Sequence, residues 1–200
     1  MLIFLDRQHV GQISHIKSIG AVADLDGDGE KSIHEAEAIW TGYLSMALEL
    51  QLRQMNYKVI PITDGSYPER HARVNQYAAH YGGQCVYIAL HFNAGGGDYG
   101  AMFYDHRSGK GADLADQIAR SMMTEISSLE SVRKIPASPE DWTKNAYYTI
   151  KNVGSPVAIC SEPLFIDNEQ HQQLFNHEGM SLLAHAMAKG IDNWGRNGAR

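Results

Sequence analysis

Two histidines and three glutamates stand where a hydrolytic metal site would need them. His9 follows the apolar run "LIFLD", His91 closes "YIALH" and Glu162 closes "AICSE". Glu35 and Glu37 lie at the head of an amphipathic stretch, "HEAEAIW". Two imidazoles and one carboxylate make a catalytic zinc set, with three protein ligands and a fourth position left for water. A further glutamate beside that set can move the proton. Any one of the 10 histidines is by itself more often structural or solvated. The joint placement at successive strand ends is what gives the pattern weight.

Those residues need a frame that brings them together. "LIFLD" and "YKVIPI" read as strands, the second at an edge or strand end because proline lacks an N–H for the ladder. "CVYIAL" is apolar throughout, as a central strand covered on both faces would be. "AMFYD", "YYTIK" and "PVAICSE" complete the expected strands. Residues 7–23 read as loop and 128–146 as a long loop or mobile lid. A helix is expected from about Ser32–Glu35 to Met55, burying Trp40, Leu44, Ala47, Leu48, Leu52 and Met55 on one face. Pro68 opens a second helix that "GG" at 82–83 stops. A third runs from Gly111 to about Ser127, and "HEGMSLLAHAMAKGIDNW" closes the chain before a "GRNGAR" tail. Alternating strands and helices give an α/β class. The expectation is a single domain over 1–200 whose largely parallel twisted sheet carries helices on both faces. Such sheets collect their sites at the carboxyl ends of the strands.

A second metal pattern overlaps the first. "DLDGDGEKSIHE" fits the calcium-loop rule D-x-[DN]-x-[DN]-G-x₅-E. Asp24, Asp26 and Asp28 take the first three ligand places, Gly29 makes the turn, and Glu30 offers its backbone carbonyl. Ser32 can hold a water, and Glu35 is the bidentate ligand. The loop has no partner loop, and Lys31 stands where an apolar residue usually pairs with one. The competing interpretation is a solvated acidic turn leading into a helix.

The bulk composition sets limits. With 44% hydrophobic and 20% charged residues in 200, the chain is an ordinary globular sequence long enough for a core. A net charge of -6 argues against nucleic acid as a partner. Cys85 and Cys160 sit in apolar runs and read as buried free thiols. Cys160 also shares its strand face with Glu162. "MLIFLD" has neither a basic leader nor the length of a membrane span. The expectation is synthesis in the cytoplasm without a signal peptide, no membrane insertion, and action elsewhere only after release.

Taken together, "IFLDRQHVG", "EAIWTGYLSMALELQLRQMNYKVIPI", "RVNQYA", "YIALHFNA", "GAMFYD" and "SEPLFIDNEQ" resemble the zinc-dependent N-acetylmuramoyl-L-alanine amidases. The likeness is greatest to phage endolysin catalytic domains and spans nearly the whole chain. It implies an amidase-like fold, peptidoglycan as the partner, and hydrolysis of the bond between N-acetylmuramic acid and L-alanine. Carried over by position, it implies His9 and His91 as zinc ligands and Glu162 as the catalytic glutamate. Its glutamate ligand opens a helix, and the helical face decides between the candidates. From Glu37 that face is Trp40, Leu44 and Leu48; from Glu35 it is Ala38, Gly42 and Met46, which is much poorer. Glu37 is therefore expected on zinc, leaving Glu35 for the calcium loop. Arg73, in "RVN", matches a motif position near the cleft and is implied to shape the site or meet a peptide carboxylate, with a plain surface salt bridge the equal alternative; Asn93, in "LHFNA", is implied to meet substrate. The family has Pro-Gly where this chain has Arg7 and Gln8. A zinc peptidase acting within the stem peptide could use the same ligands. A non-catalytic calcium-dependent wall-binding module would be expected to have lost one of them.

Overall fold

The computed structural model describes residues 1–9, 19–154 and 156–197. Among the described residues, six strands form one sheet: β1 (Leu2–Arg7), β2 (Lys58–Ile62), β3 (Cys85–Leu90), β4 (Tyr99–Asp105), β5 (Ser131–Ala137) and β6 (Val157–Glu162). Their order is β2-β1-β3-β6-β4-β5. The first four neighbours run parallel, and β4 turns the sheet over by pairing antiparallel with β6. β5 then lies parallel to β4 at the far edge. β2, the strand with Pro61, is the other edge, and the all-apolar β3 is interior between β1 and β6.

The helices are α1 (Glu37–Gln54), α2 (Tyr67–Tyr81), α3 (Gly109–Glu125), α4 (Lys144–Ile150), α5 (Glu169–Gln172) and α6 (His177–Asn197). Strand alternation divides the core between them. Ile3, Leu5, Val86, Ile88 and Ile159 point to the side covered by α1, α3 and α6. Leu2, Phe4, Tyr87, Ala89 and Cys160 point to the side covered by α2 and α4. α1 buries Leu44, Leu48 and Leu52, with Trp40, Ala47 and Met55 partly covered, so its apolar stripe is the expected one. α2 is set by a capping box between Ser66 and Glu69, by Pro68 in its first turn, and by a left-handed Gly82 at its end. Both cysteines are buried and free. No helix among the described residues is long and apolar enough to cross a membrane.

Two elements correct the sequence expectation. The segment 128–146 is not one long loop, because β5 occupies Ser131–Ala137 and α4 begins at Lys144. "YYTIK" is not a strand: Tyr147 to Ile150 are helical, and the buried residues Ala146, Tyr147, Thr149 and Ile150 follow helical spacing. Tyr, Thr and Ile favour strands locally, but a pleated segment would turn half of those side chains to water. Smaller differences are the start of α1 at Glu37, the short α5, and α6 reaching Asn197 into the expected tail. Residues 10–18 of the expected first loop, and 198–200, lie outside the described residues.

Candidate active site

β1, β3 and β6 end side by side, and their ends hold the chemistry. His9 follows β1 with a left-handed φ of 63°, an uncommon conformation for a residue with a Cβ, though histidine adopts it more readily than most. His91 follows β3, and its N–H donates to the Ser161 carbonyl at 2.9 Å, so it is tied to β6. Glu37 is the first residue of α1 and is buried.

The three side chains converge. Glu37 Oε1 lies 3.0 Å from His91 Nδ1 and 3.3 Å from His9 Nε2. The imidazoles meet edge to face with centroids 5.2 Å apart. One ligand atom from each residue falls within 4.8 Å of the other two. The carboxylate is aimed by the backbone: Phe92 N–H donates to Oε1 at 3.0 Å and Ala21 N–H to Oε2 at 3.1 Å. Gly20, at φ +78°, packs so closely on this carboxylate that a Cβ there would overlap Oε2. Burial pushes the Glu37 pKa up, but the hydrogen bonds from His9 and His91 outweigh it and hold the carboxyl well below its usual range. Burial likewise depresses His91, and Glu37 more than reverses this. Two nitrogen donors and an anionic oxygen with room beside them are the donor set that zinc takes in open sites.

Glu162, at the end of β6, faces the same cleft of about 500 Å³. Burial, reinforced by the Glu37 charge, raises its pKa above 4.5, and His91 opposes only in part. A carboxyl tuned upward suits proton transfer near neutrality. Asn93 also lines the cleft and is locked by backbone bonds to Leu164 and Ile166 at 2.8 Å each. Cys160 lies one pleat behind Glu162, fully in the core. Arg73 does not line the cleft; it pairs at the surface with Asp64 at 2.6 Å. The buried arginine nearby is Arg70, whose Nη1 lies 2.8 Å from Asp6 Oδ1.

Sequence reasoning missed the opposite wall. Asn145, Tyr148 and Thr149 on α4 and Tyr67 at the head of α2 line the cleft. Recognising the helical spacing of the apolar residues in α4 would have exposed the first three; Tyr67 carries no local signal.

The acidic loop is separate. Asp24, Asp26 and Glu35 bring one carboxylate oxygen each within 4.8 Å, whereas Asp28 is exposed and outside that group. Glu35 sits in a 3-10 turn, Ile33–Glu35, and its carboxylate accepts N–H bonds from Leu25, Asp26 and Ser32. Those bonds, led by Ser32 and Leu25, pull its pKa down to about 2.

Comparison with known proteins bears on the fold and the family. The chain superposes on AmiC2, an N-acetylmuramoyl-L-alanine amidase of Nostoc punctiforme, with TM-score 0.72 and 17% identity over 98% of both chains. It superposes on the catalytic domain of the CD27L endolysin targeting Clostridia Difficile with TM-score 0.67 and 19% identity over 96% of both. It also matches Cwp6 from Clostridium difficile, with TM-score 0.75 and 20% identity, covering 96% of this chain but 29% of that one. No curated protein sequence matches it. A family model described as N-acetylmuramoyl-L-alanine amidase matches residues 3–193, and the chain belongs to that family.

Proposed function

We propose that this protein cuts the amide bond between N-acetylmuramic acid and the L-alanine of the peptidoglycan stem peptide, with zinc held by His9, Glu37 and His91. The observation that carries the reading is the three-residue ligand cluster facing Glu162 across one cleft. Zinc in such a site lowers the pKa of water and polarises a carbonyl. Glu162 takes a proton from the attacking water and delivers it to the departing alanine nitrogen. Glu37, fixed by the Phe92 and Ala21 amides, keeps its charge toward the histidines. Asn93 and the α4 wall seat the glycopeptide.

A lytic role on the bacterial cell wall goes with this reading, and the likeness in fold to an endolysin catalytic domain is in keeping with it. Calcium in the loop of Asp24, Asp26, Asp28, Glu30 and Glu35 would act structurally, bracing the approach to Glu37. Mass spectrometry of digested peptidoglycan tests the activity. Free stem peptides with intact glycan are expected, whereas shortened stem peptides would establish a peptidase instead.

A further inference from the structure

β1 keeps its alternation up to the site. Asp6 continues the Leu2 and Phe4 face and meets Arg70 and Tyr87, while Arg7 continues the Ile3 and Leu5 face and meets α1. There Arg7 Nη2 donates to the Ala38 carbonyl at 2.9 Å. Its guanidinium rests on Gly42: a Cβ at that position would come within 2.6 Å of Arg7 Cζ and Nη2. Arg7 Nε is buried without a hydrogen-bond partner among the described residues, so the group is held by its seat and by one main bond. A reciprocal tie runs the other way, from Thr41 Oγ1 to the Gln8 carbonyl at 3.3 Å.

Arg7 is two residues before His9, and Ala38 directly follows Glu37. We propose that Arg7 is a positioning residue: seated on Gly42 and bonded to Ala38, it sets the separation between the segments that carry His9 and Glu37, and so tunes metal affinity. His9 directly follows these ties in the chain and turns through a left-handed φ of 63°, so the direction of its ring toward Glu37 depends on how residues 7 and 8 are held against α1. The inference rests on the metal-hydrolase reading above.

The test is zinc affinity, by competition with a chromophoric chelator, and the visible spectrum of the cobalt-substituted protein. Arg7→Ala and Gly42→Ala should each weaken zinc roughly 10-fold or more and shift the cobalt bands. Gly42→Ala is the sharper variant, because it displaces only the end of a flexible side chain and puts a better helix former in α1. It therefore carries the test even if Arg7→Ala fails to fold. Arg7→Lys, which can still reach the Ala38 carbonyl, should recover part of the loss. The double variant should be no worse than Arg7→Ala alone. Unchanged zinc affinity and cobalt bands in Gly42→Ala would overturn the clamp while leaving the hydrolase reading intact. A wild-type protein that binds no zinc would overturn both.

Discussion

Glu35 and Glu37 are two residues apart, both buried, and both carry carboxylates with depressed pKa values. They are nonetheless different devices. Glu35 is satisfied by backbone amides of its own loop, so its charge closes a turn. Glu37 receives two amides but turns one oxygen to two imidazoles from separate strands, so its charge is shared with a site. The lesson is that depth and pKa alone do not mark a functional carboxylate. The source of its partners does: local main chain in one case, distant side chains in the other.

The largest effect should come from Glu37→Gln. Removing a direct ligand should cost more than the roughly 10–100-fold in zinc affinity typical of outer-shell changes, with activity lost alongside. Glu35→Gln, measured in the same chelator competition, should leave zinc affinity near wild type. Equal losses in the two variants would erase the distinction. Next is Glu162→Ala, expected to lower turnover by about 10²–10⁴ while zinc per chain, read by elemental analysis, stays constant. In the metal-free protein, the Glu162 carboxyl should titrate above the ordinary carboxylate range by NMR, because burial and the Glu37 charge raise it, and zinc should lower it.

A smaller effect separates Glu35 by pH. Its folded pKa of about 2 lies below the ordinary 4.5, so its ionised form stabilises the fold above pH 4.5. That contribution is lost as pH falls toward 2. Glu35→Gln should therefore lower Tm at pH 7, since one N–H then faces an amide NH₂, and the gap to wild type should close in acid. The smallest shift is expected from calcium. Saturating calcium should raise Tm relative to a calcium-selective chelator by mass action, and Glu35→Gln should abolish the rise. Identical melting with and without calcium would leave the loop a plain acidic turn.

Much of this was legible in one dimension. The uninterrupted apolar run at 85–90 reads as an interior strand, which places the histidine after it at the sheet's carboxyl edge. Helical phase from Trp40 through Leu48 pointed to Glu37 rather than Glu35, because a helix that buries that face must begin with Glu37 against the sheet. The segment 128–150 was not legible. In α4 the Tyr, Thr and Ile residues prefer strands locally, and packing over Phe103 and Cys160 overrode that preference, whereas the edge strand β5, "SVRKIPA", carries no apolar run to announce it.

By itself, then, the sequence determined which residue types end which strands, the period of the major helices, and the spacing of the acidic loop. These are local properties, set by side-chain identity and backbone period. Only the tertiary structure decided that one Glu37 oxygen meets both histidines, that α4 walls the cleft, that Arg73 faces water while Arg70 is buried, and that Arg7 rests on Gly42. Apart from Arg73, each is a contact between segments far apart in the chain, and close packing rather than local preference selects it.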